Sequence, residues 1–230
     1  MNSKGRELHE KAAQARELGN ILESLHLSDD ALSAYDESND VLGFAEALAD
    51  RSITLRNHAR DTNSKRFLIL AKHEVMAAIE IAQQSKDLTA LTLPIYNYAK
   101  VQEELEEIPQ AVASYKEAIS HMEQTPPENH NQQAILLDMK IRLFIAEIKN
   151  GNTTVEQEIQ NLIDQLVADE SLDQFTKDVW TSGAYMRLAE VYKSNPNIFE
   201  RYISRAQEIA KNNPRLTVRQ NQLTKLTSEQ

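Results

Sequence analysis

Cysteine is absent from the 230-residue chain, which excludes a disulfide framework, a thiolate nucleophile and any cysteine-ligated zinc or iron–sulfur site. The same absence agrees with a reducing compartment, and a cytoplasmic location is the expectation. Glycine is scarce, with five residues against roughly 16 at an average usage of about 7%. They stand singly at Gly5, Gly19, Gly43, Gly151 and Gly183. No glycine-rich loop can therefore cradle a phosphate, and neither GxGxxG nor GxxxxGK[ST] occurs. Aromatic residues make up only 6%, and a chain this poor in glycine and aromatics does not suit a turn-rich all-β fold. No stretch approaches the roughly 18 apolar residues of a membrane span. The first twenty residues mix Lys4, Arg6, Lys11 and Arg16 with Glu7, Glu10 and Glu17 and lack the apolar centre of a signal peptide. HExxH and GxSxG are missing as well.

What the chain does contain favours helix. Ala, Leu, Ile, Glu, Gln and Lys dominate, residues that lose little rotamer freedom in a helix or suit its buried face. A repeat is visible: Ala31, Tyr35 and Ser38; Ala71, Val75 and Ala78; Ala111, Tyr115 and Ala118, each set 40 residues after the last. Looser copies stand at Ile159, Ile163, Leu166 and at Tyr202, Ala206, Ile209. The i, i+4, i+7 spacing draws one buried stripe along a helix. Preceding segments hold a large residue beside a small one: Leu18-Gly19 with Leu22, Leu48-Ala49, Tyr98-Ala99, and Leu188-Ala189 with Tyr192. Such pairs let a neighbouring helix come close, so two antiparallel helices per unit are expected.

Turn formers divide the chain accordingly. Ser28-Asp29-Asp30 reads as N-cap chemistry, Pro94 and Pro109 sit near first turns, and Thr153 with Glu156 fits a capping box. Eleven helices are predicted, near 4–26, 29–38, 42–60, 65–85, 93–106, 109–123, 129–149, 154–169, 172–193, 197–212 and 215–227.

This pattern resembles the tetratricopeptide repeat, most closely over residues 18–38 and 98–118. The resemblance implies an all-α, right-handed α-α superhelix of about five helical hairpins plus a C-terminal capping helix, in one domain over 1–230. Its units would be 4–40, 41–86, 92–124, 129–170 and 172–213, with the cap at 214–230. The spacing here is 40 rather than the family's 34, so longer helices or connections are expected. Gln102 and Ser52 stand where the family has a large residue, and 129–169 keeps only apolar periodicity. The resemblance further implies a groove lined by the first helix of each unit, able to take a segment of another protein. Counted from the large–small pairs, the groove-facing candidates are Arg16 and Asn20, Glu46 and Asp50, and Tyr96 and Lys100, with Glu103 beyond them. Family members that hold a C-terminal carboxylate use a basic residue and an asparagine at the first pair. Here Glu46 and Asp50 put acids where donors are needed, which points to a different peptide.

Other chemistry finds little support. The histidines His9, His26, His58, His73, His121 and His130 share no i, i+3 or i+4 spacing, so no helix presents a metal pair. Glu103, Glu104, Glu106 and Glu107 form an acidic run that reads as a solvated face. Residues 51–73 hold Arg51, Arg56, Arg60, Lys65, Arg66 and Lys72 against Asp61 alone, a basic patch read as solvated helix face. A net charge of −10 argues against general nucleic-acid or anionic-membrane binding and favours basic partners. Trp180 is read as core.

The sequence thus predicts a non-catalytic scaffold or adaptor that binds a peptide or helix of a protein partner, without cofactor, metal or membrane. The alternative is a peptide-sensing regulatory domain of a bacterial signalling or transcription system, which the long hairpins also resemble. Homodimerisation through the last hairpin stays open at this level.

Overall fold

The computed structural model describes residues 4–127 and 132–228. Among them the chain is all-α, with eleven α-helices, two short 3-10 turns and no strand. It divides into two compact units, Met1–His130 and Asn131–Gln230.

The first unit contains α1 (Lys4–Glu17), α2 (Ile21–Glu37), α3 (Val41–Thr62), α4 (Lys65–Ser85), α5 (Thr92–Glu104) and α6 (Ile108–Gln124). Short turns pair them as α1/α2, α3/α4 and α5/α6, and α3 also packs on both α1 and α5, so the first helices of successive hairpins are neighbours. The repeated stripes form the seams. Ala31, Ala71, Val75, Ala78, Ala111, Tyr115 and Ala118 are all fully buried, and Tyr35 nearly so. Alanine at one end of each stripe lets backbones approach, while Tyr35, Val75 and Tyr115 fill the middle. Ser38, the third member of the first set, is instead the exposed C-cap of α2.

The second unit contains α7 (Gln132–Lys149), α8 (Glu156–Ala168), α9 (Gln174–Val191), α10 (Pro196–Asn212) and α11 (Thr217–Ser228). The pairs are α7/α8 and α9/α10, with α7 against α9 and α11 against both α9 and α10. The last helix therefore covers the end of the hairpin, as a cap should. Ile159, Ile163 and Leu166 are fully buried in a core with Ile141, Ile145, Leu188, Tyr202 and Ala206. Trp180 and Tyr192 pack half-buried against that core.

Several local expectations fail for identifiable reasons. The predicted first helix does not run to residue 26: it stops at Glu17, and Gly19 takes a left-handed φ of +83°. Gly19 N–H donates to the Arg16 carbonyl at 3.0 Å and Asn20 N–H to the Ala15 carbonyl at 2.9 Å, the paired bonds of a Schellman stop. Leu18 and Leu22 are 51% and 74% exposed; Leu18-Gly19 is helix-ending chemistry, and Ala12 and Ala15 make the close approach instead. Ser28-Asp29-Asp30 caps nothing, lying inside α2 with the Ser28 hydroxyl donating to the Ser24 carbonyl at 2.8 Å. The capping box at Thr153 is replaced by a 3-10 turn, Thr153–Val155, in which the Asn152 side chain accepts from Thr154 N–H at 3.3 Å. The helix expected at 129–149 is seen from Gln132; residues 129–131 lie outside the described residues.

Candidate binding wall of the first unit

Because α1, α3 and α5 are neighbours, side chains on their shared side form a ladder of polar groups across three hairpins. Residues four apart share a helix face, so α3 offers Glu46 and Asp50 together, and α5 offers Tyr96 and Lys100. From α1, Arg16 donates to Asp50 at 2.6 Å and to Glu17 at 3.2 Å. His9 lies 3.5 Å from the same Asp50 carboxylate, and Arg6 lies 3.5 Å from Glu46. On α5, Lys100 donates to the Asn97 side chain at 2.9 Å and sits 3.7 Å over the Tyr96 ring. The Tyr115 hydroxyl of α6 donates to Glu103 at 2.8 Å, and Tyr96 and Tyr115 rings lie 5.9 Å apart.

Six of the seven sequence candidates thus fall on first helices of successive hairpins. Arg16, Glu46, Tyr96, Lys100 and Glu103 are buried and Asp50 partly so. Asn20 separates from them. It begins α2, on the other side of the Schellman stop from Arg16, and its amide donates to Glu23 at 3.2 Å on the surface. Arg16 and Asn20 therefore do not share a helix face.

Burial and pairing set the electrostatics. Burial works against charge on Arg16, but Asp50 and Glu17 outweigh it and raise its pKa. Asp50 is also desolvated, which alone would raise it; Arg16 and His9 hold it well below the usual carboxylate range. Glu46 goes the other way: burial pushes it up to about 7, with Arg6 and His9 opposing only in part.

Sequence reading missed the partners that pin this wall. Arg6 and His9 are three apart on α1, and Asn97 and Lys100 three apart on α5; the spacing was visible, but the register between helices was not. It also misjudged the charge runs. Glu104 pairs with Arg56 and, at 3.2 Å, with Arg60. Glu107 accepts from Lys72 at 2.7 Å, and Arg51 reaches Glu74 at 2.9 Å. The acidic run and the basic block, both read as solvated faces, are in good part each other's partners across α3, α4 and the end of α5. Burial opposes ionisation of Glu104, yet the two arginines outweigh it and keep its pKa low.

Among the described residues no group of three or more His, Cys, Asp or Glu is arranged to hold a metal, and no helix is long and apolar enough to cross a membrane. His58 packs edge-on against Phe67, ring centroids 4.4 Å apart, and His130 lies outside the described residues.

The helix pairs define the class: an all-α helical-repeat protein built from consecutive hairpins, the organisation the tetratricopeptide resemblance implies. No family model and no curated protein matches the chain. Among solved structures, nearly identical TPR-like repeats of a Podosopora anserina kinesin light chain are similar over 97% of this chain and 95% of that one, at 14% identity and a TM-score of 0.47. BtubC (BKLC) from P. vanneervenii is similar over 92% of each chain, at 14% identity and a TM-score of 0.41.

Proposed function

We propose that the chain is a non-catalytic interaction scaffold that holds a segment of a partner protein along the α1–α3–α5 wall. The observation that supports this is side chains fixed in position: Arg16–Asp50 and Arg6–Glu46 join the first helices of two hairpins, and within the first helix of the third Lys100 is held over Tyr96. Polar groups ordered in advance lose little side-chain freedom when a ligand arrives, which lowers the cost of association. The surplus of acid over base, 35 Asp and Glu against 25 Lys and Arg, suits a partner segment with basic residues.

The test is selection of peptides from a random library on the immobilised full chain, followed by affinity measurement on each. The reading expects enriched peptides with Lys or Arg among apolar residues, and binding that weakens about tenfold in Asp50→Asn, which removes a wall carboxylate. A library that yields no saturable binder, or binders indifferent to Asp50→Asn, would contradict it.

A further inference from the structure

A polar cleft lies between α8 and α10 in the second unit, independent of the wall just described. It has a volume of about 660 Å3, and its lining includes Glu156, Gln160, Tyr185, Arg201, Tyr202 and Arg205. Its origin is simple helical spacing. Ile159, Ile163 and Leu166 turn one face of α8 into the core, leaving Glu156, Gln160 and Asp164 on another. On α10, Tyr202 and Ala206 are buried, and Arg201 and Arg205 stand exposed beside them.

One end of the cleft is closed on itself. Glu156 accepts from Tyr192 at 3.0 Å, from Arg201 at 2.5 Å and from Tyr202, and Arg201 donates to Tyr202 at 2.8 Å. The other end is not. The Gln160 amide donates to Asp164 at 2.8 Å and to the Tyr185 oxygen at 3.2 Å, and its own oxygen accepts from Arg205 at 3.1 Å. That orientation is fixed, because a carboxylate only accepts and a guanidinium only donates. Arg205 also donates to the Tyr185 oxygen at 3.2 Å and stacks 5.4 Å over its ring. Tyr185 is only 7% exposed. Its oxygen receives two donors, and among the described residues its own O–H has no acceptor. Tyr185 lines the cleft, so an acceptor that enters it can take this O–H.

We propose that this end of the cleft binds the carboxylate of an acidic side chain in a peptide segment, between the Tyr185 hydroxyl and the Arg205 guanidinium. Charge balance selects the ligand. Glu156 pairs with Arg201 and leaves Arg205 as the one cation among the described residues at this end, while Asp164 beyond Gln160 repels added negative charge, so a singly charged carboxylate fits better than the near-double charge of a phosphate group. Size selects a peptide over a free acid: the volume falls within the roughly 300–1,000 Å3 of ligand pockets, and Gln157 at the lining offers an amide to a backbone.

The experiment is calorimetry on the full chain with a capped tetraglutamate peptide, a capped tetralysine peptide and a capped phosphoserine. Tetraglutamate binds despite the chain's net charge of −10, and the other two do not. Arg205→Gln, at an exposed position, and Tyr185→Phe, which keeps the ring stacked on Tyr202, each weaken binding about tenfold. Asp50→Asn leaves it unchanged, separating this site from the wall of the first unit. Absence of heat with tetraglutamate, equal binding of tetralysine or phosphoserine, or unaltered affinity in Arg205→Gln overturns the proposal. If Tyr185→Phe loses helicity, Arg205→Gln alone decides.

Discussion

At the scale of single residues, Tyr35 shows why two of the five glycines stand where they do. Its ring is 1% exposed and clamped between the backbones of α1 and α3. A methyl group on Gly43 would lie 2.3 Å from the Tyr35 ring, and one on Gly5 would lie 2.6 Å away. Gly43→Ala is therefore expected to destabilise the chain by about 1–3 kcal/mol, read as a lower urea midpoint at unchanged slope; an unaltered midpoint would show that the ring can move aside. Glu46 makes a second prediction. Its folded-state pKa of about 7 stands above the ordinary 4.5. A carboxyl raised in this way contributes stability that is full below its unfolded pKa and lost as pH rises through the folded one. Between pH 5 and pH 8 the chain should lose about 2 kcal/mol relative to Glu46→Gln. Parallel stability curves for the two proteins would refute this. Asp50, shifted downward by Arg16 and His9, loses its contribution only in acid, below this window.

At the scale of elements, helix stops carry as much information as helix seams. Left-handed residues end α1, α2, α3, α5 and α7 at Gly19, Asn39, Asn63, Glu106 and Gly151, each with the paired backbone bonds of a Schellman motif. Glu106 differs from the Gly and Asn at the other four stops, an exposed residue with a long side chain at φ +65°. Glu106→Gly should raise stability by about 0.5 kcal/mol, since relief of the left-handed strain exceeds the added freedom of the unfolded chain; a lower melting temperature would contradict that. Between elements, Arg56 and Glu104 join α3 to α5 in a mostly buried pair. Arg56→Met should cost about 3 kcal/mol by stranding the carboxylate, although Arg60 remains near it. Chemical denaturation checks the value, and a loss below about 0.5 kcal/mol would mean the pair is solvated like an ordinary surface bridge.

The seams were legible in the sequence because alternation of Ala with Tyr or Val at helical spacing has one cheap solution, burial against a partner helix. Ala71, Val75 and Ala78 needed no tertiary information. The opening stretch misled because Leu18-Gly19 satisfies two physical descriptions, a close helix contact and a helix stop, and only the backbone bonds of Gly19 and Asn20 distinguish them. The wall was half legible: spacing placed Glu46 with Asp50 and Tyr96 with Lys100, but the partners Arg6, His9 and Tyr115 depend on how helices register across hairpins. The same gap hid the pairing of Arg56 and Arg60 with Glu104.

At the scale of the whole molecule, charge links fold to function. Arg6, Arg16, Arg51, Arg56, Arg60 and Lys72 are all engaged with carboxylates inside the first unit. Much of the basic block is thereby neutralised within the fold, and the excess of acids sets the character of the surface. Long-range attraction of a basic segment follows, and it should weaken as salt shortens the screening length toward about 8 Å. On the function proposed above, recognition of a basic segment belongs to the α1–α3–α5 wall and not to α2, α4 and α6, the second helices of the same unit. The most direct measurement compares the affinity of one selected peptide for the native chain, for Asp50→Asn on the wall, and for Ile69→Ser on the exposed face of α4. About tenfold weaker binding in Asp50→Asn and no change in Ile69→Ser are expected; the reverse pattern would contradict the proposal.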